Sequence, residues 1–159
     1  MEREWVAEES VMIAAPPEQV YAAVADLRRM GEWSPECFAV RIRGRTVGPD
    51  TTFIGFNRLG WRVWFTNGRV TAAEPGKVFA FRVSSFGVEV ALWGYRMEGG
   101  PDGTRLTEYW QDLRRDARGA GFISVLGHVF TGVSAADRAA LNRQGMRSTL
   151  ARIKAVLES

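Results

Sequence analysis

A carboxylate stands in an awkward place in the stretch TRLTEYW, residues 104–110. The stretch follows the turn EGGPDG and alternates as a strand does. Leu106, Glu108 and Trp110 share one side, and Arg105, Thr107 and Tyr109 share the other. If Leu106 and Trp110 face a core, Glu108 faces it with them. A buried carboxylate is costly unless it is ion-paired or protonated. Two kinds of chemistry answer that cost. The plain one is structural: a strand-end carboxylate reaching solvent, or an ion pair with Arg62. The functional one is a carboxyl that orients a ligand hydroxyl or carbonyl. Desolvation would raise its pKa and suit it to general acid–base work.

Few other residues can carry chemistry. The chain holds one histidine, His128, and one cysteine, Cys37. His128 lies in a glycine-rich segment, where it is either a proton shuttle or a surface or packing residue. Cys37 reads as a small apolar residue. One Cys and one His cannot form a zinc cluster, a single Cys makes no internal disulfide, and no aspartate-rich loop suggests a carboxylate metal site. No metal and no cofactor are therefore expected. The absence of a visible nucleophile–base pair or phosphate loop argues against a triad hydrolase.

The elements that must position these residues follow from periodicity. The 159 residues read as a single domain, 1–159, long enough for a sizeable core. REWVAEESVMIAA (3–15) reads as a first strand, PPEQVYAAVADL (16–27) as a helix with proline in its first turn, and RRMGEW as a second short helical turn. Strands follow near 38–44, 52–59, 62–73, 77–84, 88–98 and 104–113, separated by the turns LG, EPGK, SSFG and EGGPDG. Their sequential order predicts an antiparallel meander. Residues 134–159 read as a long helix, with Ser134 and Asp137 as a capping box and Met146, Leu150, Ile153 and Leu157 as one stripe. Gly145 interrupts that helix, so either something packs closely there or the helix bends. A curved sheet wrapped around one helix buries the stripe but does not close along its whole length, and the gap becomes a cavity.

The net charge of +3 is carried by scattered arginines, with lysine only at Lys77 and Lys154, so nucleic acid is not an expected partner. No signal-peptide pattern and no apolar run long enough to span a bilayer are seen, and a cytoplasmic protein is the simplest reading. A monomer or homodimer is expected.

The order of elements resembles the helix-grip fold of the START-like (SRPBCC) superfamily. That superfamily includes the birch pollen allergens and the polyketide cyclase/dehydrase and lipid-transport group. IAAPPEQVYAAVADLRRMGEWSPE (13–36) is similar to that group's opening strand and helix pair ending in Trp-Ser-Pro. GGPDGTRLTEYW (99–110) is similar to its last hairpin, and RQGMRSTLARIKAVLE (143–158) to its closing helix. The resemblance implies an α+β fold: a seven-stranded antiparallel curved sheet around the C-terminal helix, and a deep cavity for an apolar small molecule. It does not choose between carrier, receptor and cyclase.

Pairing arithmetic proposes the wall of that cavity. A turn at Leu59-Gly60 pairs Asn57 with Arg62 and Gly55 with Trp64, which puts Thr66 on the same side. The EPGK turn carries that side on through Val70 to Phe79 and Phe81. In the last hairpin, Met97 opposes Thr104, Tyr95 opposes Leu106, Trp93 opposes Glu108 and Ala91 opposes Trp110. The two sets join if the SSFG connection spans three residues, whereas a two-residue turn would put Val90, Leu92 and Gly94 inside. The first option is favoured because it gathers the aromatics with Leu106. Trp64, Trp93, Tyr95, Trp110, Phe79 and Phe81 then form an aromatic wall, and Met146 and Leu150 come from the helix. Asn57, Arg62, Thr66 and Glu108 supply polar points. Trp33 either anchors the short helix or joins the wall. Six tryptophans favour a flat, ring-containing ligand, although aromatics also fill cores. Phe122, Ile123, Leu126, Val129 and Phe130 form a candidate lid hinged at Gly119, Gly121, Gly127 and Gly132, or a patch that docks on a membrane or another subunit.

Three readings follow. The first is a binding protein for an apolar, aromatic or polycyclic small molecule, oriented by Glu108, Asn57 and Arg62. The second is a polyketide cyclase or dehydratase, a lyase or isomerase, with Glu108 moving a proton aided by Tyr95 or His128. The third is a lipid carrier or membrane-docking module working through 119–132.

Overall fold

A computed structural model describes residues 4–114, 121, 124, 127, 128 and 131–159. The elements run β1 (Val6–Ile13), α1 (Pro17–Val24), a 3-10 turn (Leu27–Arg29), α2 (Met30–Trp33), β2 (Cys37–Ile42), β3 (Thr52–Leu59), β4 (Arg62–Glu74), β5 (Val78–Ser85), β6 (Val88–Gly100), β7 (Gly103–Asp112) and α3 (Ala135–Leu157). All seven strands join one antiparallel sheet in the order β1-β7-β6-β5-β4-β3-β2. The helix-grip arrangement expected from the sequence is therefore the observed one. The ends differ by a few residues: β1 is shorter than 3–15, α1 stops at Val24, and β6 runs on to Gly100.

Each turn has a local cause. Glu74-Pro75-Gly76-Lys77 closes with the Lys77 N–H donating to the Glu74 carbonyl at 3.0 Å, and Gly76 takes the positive φ of 75° that the third turn position requires. The β3–β4 turn is Gly60-Trp61 rather than Leu59-Gly60, because the glycine is needed at the first central position, where φ is 64°. Asn57 therefore opposes Trp64, and Gly55 opposes Thr66. The last hairpin slides by the same amount: Met97 opposes Leu106, Tyr95 opposes Glu108, and Trp93 opposes Trp110. In both cases the shift is two residues, one full pleat, so the inward set of side chains is the expected one although the pairs are not.

The connection between β5 and β6 differs in a more instructive way. It is a two-residue turn, Phe86-Gly87, which alone would turn Trp93 and Tyr95 outward. A bulge at Val90 corrects this. Ser84 opposes Glu89, yet Val83 opposes Ala91, so one extra residue restores the inner face.

The inner face is divided. At one end α1 and the 3-10 turn after it fill it: Val20, Val24 and Leu27 share one cluster with Phe79, Phe81, Tyr95 and Leu106. Tyr21 meets Phe79 edge-on at 6.2 Å, and Phe53 meets Phe81 at 5.3 Å. Thr104 Oγ1 donates to the Ala15 carbonyl at 2.7 Å and ties the end of β1 to β7. α3 lies over β1 and β7, where Met146 joins Trp110, Ala139 and Ala7, while Leu150 and Ile153 join the larger cluster. Ser134 caps α3, its Oγ accepting from the Asp137 N–H at 3.2 Å and donating to Asp137 Oδ2 at 2.6 Å. Gly145 lies against Pro35: a Cβ there would make a van der Waals contact with the ring at 3.4 Å.

Gly68 is bare because the far end of the Phe53 ring lies against it; a Cβ would fall 2.2 Å from Phe53 Cζ. Gly68→Ala should therefore cost about 1–3 kcal/mol by overpacking. Denaturant unfolding checks this, and adding Phe53→Leu should recover part of the loss.

Candidate functional site

Glu108 is inside. It is 5% exposed, between Leu106 at 0% and Trp110 at 3%. The pleat that makes β7 one side of the core leaves no outward choice for it. On the neighbouring strand Tyr95 stands directly opposite, and its hydroxyl donates to Glu108 Oε1 at 3.2 Å. Glu108 Oε2 is buried with no hydrogen-bond partner among the described residues. The ion pair with Arg62 and the solvent-reaching carboxylate are thus both set aside. Burial pushes the Glu108 carboxyl up to about 8, against a smaller lowering by the Tyr95 hydrogen bond. Tyr95 is pushed well above its ordinary value, first by burial and then by Glu108 and the Cys37 thiol.

At neutral pH the carboxyl is therefore mainly protonated, and it presents an acid O–H beside a phenol. Trp93 and Trp110 form the next rung, ring centroids 6.5 Å apart, with Met146 of α3 packed on the same cluster. These residues make an apolar surround with one unsatisfied polar atom.

The second polar group lies elsewhere on the inner face. Asn57 Nδ2 donates to Thr66 Oγ1 and to the Gly55 carbonyl, each at 3.3 Å, and Trp64 opposes Asn57. Asn57, Trp64, Thr66 and Trp93 are half-buried, unlike the sealed residues against α1. β7 and β3 are separated by β6, β5 and β4. Along the sheet that is about 19 Å at the usual strand spacing, so Glu108 and Asn57 occupy facing walls rather than one cluster. Arg62 extends from the β4 end: its guanidinium lies over the Trp61 ring at 4.8 Å and against Gly132, where a Cβ would fall 3.1 Å from Nε.

Other expected residues are more dispersed. Trp33 is sealed in the core with the Arg29 guanidinium 4.9 Å over its ring, and it anchors α2. Phe79 and Phe81 are packed against α1. His128 is exposed, its carbonyl accepts from the Gly132 N–H at 2.9 Å, and it is not the partner of Glu108. Phe122, Ile123, Leu126, Val129, Phe130 and Gly119 lie outside the described residues. Among the described residues no cluster of three or more His, Cys, Asp or Glu side chains could hold a metal.

Two features escaped the sequence. Cys37 is buried, opposes Asn57, and sits near enough to Tyr95 to influence it. Burial raises its thiol to about 11, so it remains protonated. Strict alternation would group Cys37 with Ala39 and Arg41, but a bulge at Phe38 turns Cys37 inward and leaves Ala39 and Arg41 outward. The other feature is the buried pair of Asp112 and Arg114, bidentate at 2.8 and 2.9 Å, which closes the end of β7 beside Trp110. Its only sequence signal was the charge-rich stretch DLRRD.

A curved seven-stranded sheet gripping a terminal helix, with an apolar interior and one neutral carboxyl, defines a helix-grip α+β domain. The chain belongs to the polyketide cyclase/dehydrase and lipid transport family, whose pattern it matches over residues 4–158. A polyketide-cyclase-like protein from Corynebacterium glutamicum is 32% identical, with 99% of this chain and 94% of that one aligned at a TM-score of 0.65. The Zhui aromatase/cyclase from a Streptomyces species shares the fold at 18% identity, with 96% of this chain and 93% of that one aligned at a TM-score of 0.70. The di-domain aromatase/cyclase of the steffimycin biosynthetic pathway aligns with 96% of this chain over 50% of its own, at 14% identity and a TM-score of 0.69. No curated protein matches the chain.

The raised Glu108 pKa has a thermodynamic consequence. Between its ordinary value of 4.5 and about 8, the native state keeps a proton that the unfolded state has lost. The contribution of this group is then full at acid pH and is lost as pH rises to about 8. Glu108→Gln, which keeps the shape without titrating, should remove the effect. The wild-type unfolding free energy relative to Glu108→Gln should fall by about 1.4 kcal/mol per pH unit across that window and level off above it. Urea titrations at several pH values measure this.

Proposed function

We propose that the protein binds an apolar, ring-bearing, polyketide-like molecule between the inner face of the sheet and α3, and that protonated Glu108 donates a hydrogen bond to a carbonyl of that ligand. The observation carrying this reading is the orphaned Oε2 of a carboxyl that is almost wholly buried. A buried polar atom without a partner destabilises the fold, and a ligand acceptor would satisfy it. Trp93 and Trp110 flank the position with flat apolar surface suited to a ring system. Asn57 and Thr66 supply a second polar contact on the facing wall. Family membership supports the polyketide-like class, and the named aromatase/cyclases support the fold that holds it.

Anthraquinone is a suitable probe, because it offers ring carbonyls and titrates nowhere near neutrality. Quenching of tryptophan fluorescence should report binding that weakens as pH rises through about 8, where Glu108 loses its donor proton. Glu108→Gln retains an N–H donor and should bind with no such pH dependence; Glu108→Ala should bind about tenfold more weakly, the loss of one hydrogen bond. Wild-type binding that ignores pH would overturn the role given to Glu108. Failure to bind any ring ketone, with no small molecule retained in native mass spectrometry, would overturn the ligand class.

One observation favours a second reading, a cyclase or dehydratase. A carboxyl titrating near neutrality beside a phenol can both take and return a proton. In a poly-ketone chain, ionised Glu108 would remove a proton from a carbon between two carbonyls, and that carbon would bond to a distant ketone carbon. The resulting alkoxide would regain the proton. Glu108 would then take a second proton from the same carbon and pass it to the hydroxyl, which leaves as water and puts a double bond in the new ring. In this case Glu108→Gln should abolish turnover of a poly-ketone substrate while leaving its affinity within a few-fold; a pure binder would show no turnover in either form.

A further inference from the structure

The outer face of the sheet carries a surface that the interior does not use. Outward positions near the hairpin ends are apolar: Phe56 opposes Phe65, and Val63 lies one pair nearer the turn. Trp61, at the β3–β4 turn, is 83% exposed, and Phe65 is 61% exposed. Phe86, at the β5–β6 turn, is 71% exposed. Continuing the register past the pair Asn67 and Ser84 sets Phe86 level with Phe65, so both hairpins present aromatics at the same end of the sheet. Phe86 also holds a φ of 52°, a conformation that bulky residues rarely adopt. The fold thus holds an aromatic ring outward at a strained position, where glycine or asparagine would be easier.

Behind the aromatics lies a band of positive charge. Arg41, Arg43, Arg69 and Arg82 line a groove of about 810 Å³ on this face. Arg69 and Arg82 are matched by Asp50 and Glu89, at 2.8 Å each. Arg41 and Arg43 have no ion pair among the described residues, and the side chain of Arg58, opposite Val63, donates to the Gly60 carbonyl at 3.1 Å.

We propose that this face docks the protein on an anionic lipid surface, with Trp61, Phe65 and Phe86 entering the interface and the arginine band meeting lipid phosphates. Projecting aromatic tips with cations set behind them are the arrangement of a peripheral membrane contact. A fluid interface requires no matching shape, whereas a folded partner would need a complementary surface. A second copy of the chain on the same face would set one arginine band against another. No helix among the described residues is long and apolar enough to cross a membrane, so the contact would be peripheral. The inference does not depend on what the interior binds, and its test is separate.

Co-sedimentation with vesicles tests it. The wild type should bind vesicles containing phosphatidylglycerol, bind phosphatidylcholine vesicles weakly or not at all, and lose binding at high salt. W61S/F65S and R41S/R43S should each weaken partition by about tenfold or more. All four side chains are exposed, so melting temperatures should match the wild type and exclude unfolding as the cause. Absence of binding to both vesicle types would overturn the proposal. So would binding that ignores both double variants, or a dimer in gel filtration that W61S/F65S dissociates, which would assign the face to a second copy.

Discussion

Three contacts hold the far edge of the sheet onto the terminal helix, and the interior depends on them. β2 is the last strand of the sheet, while α3 lies over β1 at the other edge. α2 and the residues after it bridge the two. Pro35 packs on Gly145, the Arg138 guanidinium meets Glu36 at 2.7 Å, and Arg152 donates to the Trp33 carbonyl at 3.2 Å. A twisted sheet bends readily, but bending alone does not close it. With the sheet curled, Cys37 of β2 comes near enough to Tyr95 of β6 to contribute to its raised pKa.

Desolvation then sets the chemistry. Leu106, Trp110 and Tyr95 remove water from Glu108 without replacing both of its lost hydrogen bonds. The fold carries this as a local defect, since an apolar residue at the same place would pack at lower cost. Among the described residues Glu108 Oε2 is the buried side-chain polar atom left without a hydrogen-bond partner. The pair of Asp112 and Arg114, its acid four residues farther along the same face, shows the contrast: there the carboxylate is bidentate to a guanidinium. Both acids lie on β7, but Glu108 meets a phenol from the neighbouring strand, whereas Asp112 is matched by Arg114 just beyond the strand's end.

Much of this was legible because strand pairing preserves faces. The β3–β4 and β6–β7 registers both lie two residues from the simple arithmetic, yet every inward residue on those strands stays inward, as the pleat repeats at two. Bulges break that protection. Val90 supplies the extra residue that the SSFG connection lacks, and Phe38 turns Cys37 away from Ala39. Neither has a local signature, because a bulge is selected by how two strands must meet. The aromatic wall also divided in a way composition does not reveal: Phe79, Phe81 and Trp33 are spent on α1 and α2, while Trp64 and Trp93 remain half-buried.

The sequence by itself determined the order of elements, the capped terminal helix with its apolar stripe, and the inward side of Glu108. These depend on periods of two and 3.6 residues that neighbouring positions set together. Only the tertiary structure decided that Glu108 pairs with Tyr95 rather than Arg62, that Asn57 and Thr66 stand on the opposite wall, and that Trp61, Phe65 and Phe86 gather at one exposed end. Those outcomes depend on curvature, bulges and the α2 bridge, which join residues far apart in the chain.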